Sequence, residues 1–217
     1  MRNVTANNNI RGVFISLEGG DGSGKSTQLA LLTDYLNENG YDYVFTREPG
    51  GTKISEKIRE IILDGGNKEE TPETEALLYA AARAQLVSEL IIPAAESGKI
   101  VVCDRYIDSS VAYQGYGRGL GKEFIDGINS FAIKNRMPDV TLFFDITPER
   151  AFERKGGADK NDRMEQSGLS FHKKVYEGYL RQATEYPERI VRINAEQTVE
   201  KVFADVIRVL KERNIVK

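Results

Sequence analysis

A glycine-rich segment near the start of the chain has the residue types and spacing that bind phosphate. Residues 19–26 read Gly-Gly-Asp-Gly-Ser-Gly-Lys-Ser and match the pattern G-x-x-x-x-G-K-[ST]. Glycines let the backbone curl so that N–H groups point at phosphate oxygens, while Lys25 reaches the β- and γ-phosphates and Ser26 binds Mg²⁺. The segment therefore predicts a site for a nucleoside triphosphate and Mg²⁺, without fixing the reaction. The residues expected to hold this nucleotide are Gly19, Gly20, Asp21, Gly22, Ser23, Gly24, Lys25, Ser26 and Thr27.

Two arginines stand where apolar runs of the chain end. Arg47 follows the run 43–46, and Arg105 follows the run 100–103 and Asp104. In an open parallel sheet, ligands collect at the carboxyl ends of the strands. The two guanidinium groups are therefore expected to converge near the glycine-rich segment. Their planar, bidentate geometry suits the capture of a second phosphate.

Whether a catalytic base is present indicates which kind of group accepts the phosphoryl group. Transfer to an alcohol requires a base, whereas a phosphate monoester has a second pKa of about 6 and is already an anion at neutral pH. The single histidine, His172, lies in a lysine-rich helical stretch and is expected on the surface. This favours phosphorylation of a nucleotide over that of a nucleoside, although Glu48 could still serve as a base.

Other classes of protein with this phosphate-binding pattern fit less well. A GTPase switch should carry Asn-Lys-x-Asp for guanine, and residues 159–162 read Asp-Lys-Asn-Asp instead. A motor needs a surface for a nucleic acid or protein partner, and the net charge of −3 offers no support for a nucleic-acid partner. A small-molecule kinase fits best, and a nucleotide-binding module without turnover remains open.

Short apolar runs alternating with helical patterns must position these residues. The runs, which predict strands, are 13–17, 43–46, 100–103, 140–144 and 190–193. Because they lack polar alternation, they belong inside a parallel sheet covered by helices on both faces. Thr71-Pro72, Thr147-Pro148 and Thr198 mark helix starts. The sequence therefore predicts an α/β fold with a doubly wound, five-stranded parallel sheet.

Length and composition favour a single domain over residues 1–217. The polar residues 1–11 are expected to be a disordered tail, and the charged, glycine-containing residues 155–166 a small lid. Because Cys103 is the one cysteine of the sequence, an intrachain disulfide is excluded.

The sequence contains no signal peptide and no run of 18 apolar residues. The expected compartment is therefore the cytoplasm, without membrane contact.

Three further segments resemble bacterial thymidylate kinases. They are FTREPGGT at 45–52, LLYAAAR at 77–83 and DRYIDSSVAYQG at 104–115. The resemblance runs from about Val13 to the last helix and implies the P-loop NTPase fold. It also implies a homodimer that uses ATP and Mg²⁺ to convert thymidine monophosphate (dTMP) into thymidine diphosphate (dTDP) for dTTP synthesis. Another nucleoside monophosphate kinase or a deoxynucleoside kinase is the alternative.

The resemblance implies roles for residues on the nucleoside side of the acceptor. Tyr79 stands where the family usually has Phe stacking on thymine. Arg83 would donate to a thymine carbonyl, and Gln114 would read the base edge with Ser110 beside it. Tyr113 would crowd the 2′ position of the sugar and favour deoxyribose.

The resemblance also implies roles on the phosphate side. Arg47 would hold the acceptor phosphate, and Asp21 would contact the 3′-hydroxyl or the Mg²⁺ shell. Asp104, as a metal-side ligand, and Arg105 would organise metal-bound water and the transferring phosphoryl group.

One departure from the family concerns the charge that serves the transition state. Some members carry a P-loop arginine where this chain has Gly22. The charge is then expected from the lid, although its usual central arginine is not obvious here. Arg163 or Lys160 is the expected catalytic residue of the lid.

Overall fold

The structure is a computed structural model that describes residues 12–155, 164 and 167–217. Its sheet has five parallel strands, as the sequence predicts, and their order is β2-β3-β1-β4-β5. The strands are β1 Phe14–Glu18, β2 Tyr43–Arg47, β3 Ile100–Asp104, β4 Val140–Asp145 and β5 Ile190–Asn194. The predicted tail 1–11 and most of the predicted lid lie outside the described residues.

Helices connect consecutive strands and cover both faces of the sheet. The helices are α1 Lys25–Glu38, α2 Lys53–Leu63, α3 Pro72–Leu86, α4 Ile92–Glu96, α5 Ile107–Ser110, α6 Lys122–Ala132, α7 Pro148–Lys155, α8 Gly168–Glu185 and α9 Val199–Glu212. Two π-helical segments, Val87–Ile91 and Val111–Gly117, continue α3 into α4 and extend α5. The predicted cap at Thr71 is present, since its hydroxyl accepts from the N–H of Thr74.

The core lies on both sides of the sheet, which explains why its strands lack polar alternation. On one side Leu32 and Leu36 of α1 pack with Val206 of α9 against the sheet. On the other side Leu86 and Ile91 pack with apolar side chains of β1 and β3. Full burial of one such side chain stabilises the fold by roughly 1.5–3 kcal/mol. The two-sided core thus fixes which strand ends meet.

Strand register brings the chemistry-bearing residues to one edge. Leu17 of β1 lies beside Asp104 of β3, and Arg47 of β2 lies beside the same Asp104. The P-loop leaves β1 directly after Glu18. The carboxyl ends of β1, β2 and β3 therefore form one rim.

The helical stretch Pro72–Glu96 is long and apolar enough, by composition alone, to cross a membrane. This finding differs from the expectation of no spanning segment, but a core helix of a folded domain passes the same test. Arg83 lies inside this stretch and forms a buried ion pair with Glu48, as a core helix permits. The absence of membrane contact stays a prediction.

Candidate active site

The P-loop opens into a solvent-facing cavity of about 1040 Å³ at the rim of the sheet. Most residues predicted to handle phosphates line it together: Asp21, Gly22, Ser23, Gly24, Lys25, Ser26, Thr27, Arg47, Asp104 and Arg105. Arg59 and Arg154 also line this phosphate cavity. The cavity therefore concentrates positive charge around the start of α1, where the helix dipole also favours anions.

Lys25 is buried at the first position of α1 and turned back onto its own loop. Its Nζ donates to the carbonyl oxygens of Gly19, at 2.9 Å, and Gly20, at 3.0 Å. Burial and the nearby charge of Arg105 lower the pKa of Lys25 to about 8. Bound phosphate would stabilise the charged ammonium group and raise the pKa of Lys25 again, because its oxygens carry a negative charge that the loop carbonyls lack.

The backbone at Gly22 has a conformation and a close neighbour that leave no room for an arginine at this position of the P-loop. It adopts φ of +81°, and a Cβ built there would lie 2.4 Å from the carbonyl oxygen of Ala151 in α7. A side chain is therefore excluded both by conformation and by the close approach of α7. Positive charge for the transferring group has to come from other elements.

Arg105 joins the P-loop to the end of β3. Its guanidinium donates to the carbonyl of Gly19 at 2.8 Å and pairs with Asp21 at 2.6 Å. Burial would raise the pKa of Asp21, but the charges of Arg105 and Lys25 outweigh it and lower that pKa to about 2. Asp21 is therefore an anion, and its ion pair fixes the orientation of the Arg105 guanidinium group.

Glu18, which the sequence analysis missed, lies fully buried beneath Arg105. Arg105 has φ of +70°, which costs a non-glycine residue roughly 1–2 kcal/mol. Glu18 accepts the N–H of Tyr106 at 2.7 Å and the hydroxyl of Ser109 at 2.6 Å, which holds the turn after Arg105. Burial and the charge of Asp108 raise the pKa of Glu18 to about 7. The only signal in the sequence was a carboxylate directly after an apolar run.

Asp104 and Ser26 fit a hydrated Mg²⁺. Among the described residues, Oδ1 of Asp104 is buried without a hydrogen-bond partner, and the exposed Ser26 lines the same cavity. No cluster of three or more His, Cys, Asp or Glu side chains within the described ranges could hold a metal alone. Mg²⁺ keeps several waters and binds through one or two protein oxygens plus substrate phosphates, and Ser26 and Asp104 can supply such oxygens.

A second cavity of about 570 Å³ adjoins the phosphate cavity. Tyr79, Arg83, Tyr113 and Gln114, the residues to which the resemblance assigns contacts with the nucleoside, line it together. We call it the base cavity. Both cavities share four wall residues, namely Asp21, Glu48, Arg59 and Arg105.

Most of the N–H groups of Arg83 donate hydrogen bonds to buried side chains. It forms a bidentate ion pair with Glu48 and donates to Asn129 and to Ser110. Ser110 therefore lies behind Arg83, where its hydroxyl oxygen accepts from Nη2 at 3.0 Å. Among the described partners, one of the five N–H groups of Arg83, on Nη1, is left for a ligand. Since both oxygens of Glu48 accept from Arg83, Glu48 is poorly placed to act as a base.

Tyr113 supports the phosphate side of the base cavity. Its ring lies 5.1 Å from the Arg105 guanidinium, within the range of a cation–π contact. Gln114 is only 1% exposed, and its amide Nε2 donates to Glu75 at 2.8 Å. Both side chains thus have fixed positions before any ligand binds.

The prediction that His172 lies on the surface is wrong. The side chain is 6% exposed and packs edge-on against the rings of Phe152, at 5.1 Å, and Phe171, at 5.3 Å. His172 shares the buried face of α8 with Val175 and Tyr179, whereas the neighbouring lysines face outward. The prediction relied on the neighbouring lysines and overlooked the helical spacing of His172, Val175 and Tyr179.

The two lid residues expected to be catalytic, Lys160 and Arg163, lie outside the described residues. Lys155, the first residue of the predicted lid, is instead the last residue of α7, and it reaches the phosphate cavity. Arg154 beside it donates to the carbonyl of Ala195 at 2.6 Å, which anchors this end of α7 to the segment after β5. The end of α7 thus adds two cations to the cavity.

The chain is similar to known proteins over nearly its whole length. The family model described as thymidylate kinase matches residues 17–206. A thymidylate kinase from Halalkalibacterium halodurans is 50% identical over 205 residues, covering 94% of this chain and 98% of that protein. One from Finegoldia magna is 52% identical over 203 residues, covering 94% and 100%. The solved structure of thymidylate kinase from Ehrlichia chaffeensis is 34% identical with a TM-score of 0.75, covering 92% of this chain and 98% of that chain.

The family model spans most of the chain, and the relatives match it over nearly their whole length. The solved relative, at 34% identity and a TM-score of 0.75, shares the fold of this chain. The chain belongs to the thymidylate kinase family.

Proposed function

We infer that this protein transfers the γ-phosphoryl group of ATP to the phosphate of dTMP, giving ADP and dTDP. The observation that carries this inference is the junction of the two cavities. One holds the P-loop and the other the base-reading residues, and Asp21, Glu48, Arg59 and Arg105 belong to both walls. A donor phosphate and an acceptor phosphate bound on either side would therefore meet at Arg105.

Catalysis at this junction depends on position and charge. Lys25 and the backbone N–H groups of the P-loop bind the β- and γ-phosphates, and Arg105 neutralises charge on the transferring group. Holding both reactants in line removes much of the entropic part of the barrier. The acceptor oxygen is already an anion near neutral pH, so no side chain has to remove a proton.

The residues that fit Mg²⁺ are Ser26 and Asp104. Mg²⁺ held by these residues would supply positive charge to offset the negative charge that develops during transfer. The unpartnered Oδ1 of Asp104 supports this assignment, either directly or through a metal-bound water.

The base cavity supports a pyrimidine acceptor. Tyr79 offers an aromatic face, Arg83 has one N–H left for a base carbonyl, and Gln114 supplies an amide edge. Tyr113 stands beside Arg105, between the base cavity and the phosphates, where it would limit space around the sugar. Among the family alternatives, this arrangement favours dTMP over a nucleoside, which would lack the phosphate that Arg47 and Arg105 can bind.

A homodimer is also proposed. Exposed apolar side chains lie on the neighbouring helices α2, α3 and α6, including Ile61, Leu77 and Phe131, which is 88% exposed. An apolar face of this kind is typical of a protein interface. A monomer at all concentrations in sedimentation equilibrium would contradict this assignment.

Arg47→Ala is expected to raise the KM for dTMP by about 10- to 100-fold, since a hydrogen bond to a charged group contributes about 1.5–3 kcal/mol. The KM for ATP should change by less than about threefold, because the P-loop supplies that site. Steady-state kinetics with each substrate varied in turn measures both constants.

Arg208→Ala is the matched control for Arg47→Ala. Both arginines are about half exposed and ion-paired: Arg47 pairs with Glu56, whereas Arg208, on α9, pairs with Asp205 and Glu212. The control should leave both KM values unchanged. Equal weakening of dTMP and ATP by Arg47→Ala would place Arg47 outside the acceptor site.

A further inference from the structure

We propose that Glu75, clamped by Arg118, is a specificity-determining positioning residue that fixes the amide of Gln114 with its oxygen toward the acceptor base. This inference rests on the proposed function, since it concerns the base of the acceptor. It assigns the preference for an imide base, such as thymine, to a residue that does not line the base cavity.

The contact between Gln114 and Glu75 is buried at both ends. Each side chain is 1% exposed, and Nε2 of Gln114 donates to Oε1 of Glu75 at 2.8 Å. Gln114 belongs to the π-helical segment 111–117 and Glu75 to the first turn of α3. The pair therefore links two elements that both build the base cavity.

Arg118 holds Glu75 from the other side. Its Nε donates to both carboxylate oxygens at 3.2 Å, and its Nη2 lies 3.0 Å from Oε2. The guanidinium also lies over the ring of Phe171, with 4.6 Å to the centroid. The carboxylate of Glu75 is thus fixed in direction and supplied with a counter-charge.

The chemistry of the two groups allows only one orientation of the amide. An ionised carboxylate accepts hydrogen bonds and donates none, so the group that Gln114 turns toward Glu75 has to be its NH₂. A flipped amide would place oxygen against oxygen in a buried site, which is costly. Within the part of the chain that the structure describes, no group donates to Oε1 of Gln114, so this oxygen can accept from a ligand in the base cavity.

This acceptor, together with the free N–H of Arg83, defines the edge of the base that fits. Thymine and uracil present a ring N–H beside a carbonyl, so the N–H can donate to Gln114 and the carbonyl can accept from Arg83. Cytosine presents a bare ring nitrogen beside an amino group, so both contacts are mismatched. Unpaired polar groups in a buried site discriminate strongly between such ligands.

Glu75→Gln tests this proposal because it is nearly isosteric and reverses the network. Arg118 would take the single carbonyl oxygen of the new amide, which turns its NH₂ toward Gln114. Gln114 would then have to accept from that NH₂ and present its own NH₂ to the base. In this variant the NH₂ of Gln114 would face the N–H of thymine, which is two donors in opposition. The same NH₂ could donate to the bare ring nitrogen of cytosine.

The measurement is kcat/KM for dTMP and for deoxycytidine monophosphate (dCMP), with calorimetric binding of each nucleotide in the absence of ATP. In Glu75→Gln, the preference for dTMP over dCMP is expected to fall at least about tenfold in both measurements, mostly through loss of dTMP. The KM for ATP should stay within about threefold. Glu73→Gln, which removes an exposed charge from the same helical turn, should leave the preference unchanged.

The outcomes separate this inference from the proposed function. A wild-type protein that does not phosphorylate dTMP overturns the proposed function. A wild-type protein that prefers dTMP, with a folded Glu75→Gln variant of unchanged preference, overturns only the role of Glu75. Should Glu75→Gln fail to fold, Arg118→Met removes the clamp and leaves Glu75 in place. That variant is expected to lower the preference about three- to tenfold, and an unchanged preference would again overturn the proposal.

Discussion

Lys25→Ala is expected to lower kcat by about 10³-fold or more while the protein stays folded. A single preorganised charge on a transferring phosphoryl group is worth about 10³–10⁵ in rate in related chemistry. Lys25 is the cation that the P-loop itself contributes, with Nζ held 2.9 Å from the carbonyl of Gly19. The substitution removes that charge from the phosphate cavity and leaves α1 intact, because alanine is the best helix former.

The effect of Lys25→Ala is measured as ADP release at saturating ATP and dTMP, with the thermal midpoint as a check on folding. Lys53→Ala is the matched control, because Lys53 also occupies the first position of a helix, α2, but is exposed. The control should retain activity within about twofold. Turnover that survives in a folded Lys25→Ala variant would show that the P-loop does not bind the donor phosphates.

Arg83→Met is expected to lower the free energy of unfolding by about 3–5 kcal/mol, the usual cost of removing one partner of a buried ion pair. Arg83 is 1% exposed, and the carboxylate of Glu48 would be left buried without its counter-charge. Because Arg83 also donates to Asn129 and Ser110, the loss extends to two further buried groups. Urea denaturation measures the change.

Two further variants separate the buried charge from lost packing. In the double variant Arg83→Met with Glu48→Gln, no orphaned charge remains, so part of the lost stability should return. Arg181→Met breaks an exposed pair with Glu177 on α8 and should leave the urea midpoint almost unchanged. Equal losses in Arg83→Met and Arg181→Met would contradict the buried ion pair.

The sequence predicted the sheet and the phosphate cavity because both depend on local signals. Apolar runs without alternation mark buried parallel strands, and each observed strand begins and ends within a residue of its predicted run. The P-loop pattern places Lys25 and Ser26 by spacing alone. Arg47 and Arg105 followed from a general rule, since the carboxyl ends of parallel strands share one rim.

The network beneath the site could not be predicted, because its partners are distant in the sequence. Glu48 and Arg83 are 35 positions apart, and Glu18 meets Tyr106 across 88. Whether a carboxylate is buried depends on what folds over it, and a single sequence does not show that. Glu75 is one of the acidic residues in the first turn of α3, and nothing in the sequence marks it as the partner of Gln114.

Phosphorylation of dTMP by ATP is tested most directly with a panel of acceptors. ADP release from Mg-ATP would be compared for dTMP, dUMP, UMP, dCMP, AMP, GMP and thymidine itself. We expect a strong preference for dTMP, no ADP release with thymidine, and little release without an acceptor. Faster release with thymidine than with dTMP, or release that no acceptor increases, would contradict it.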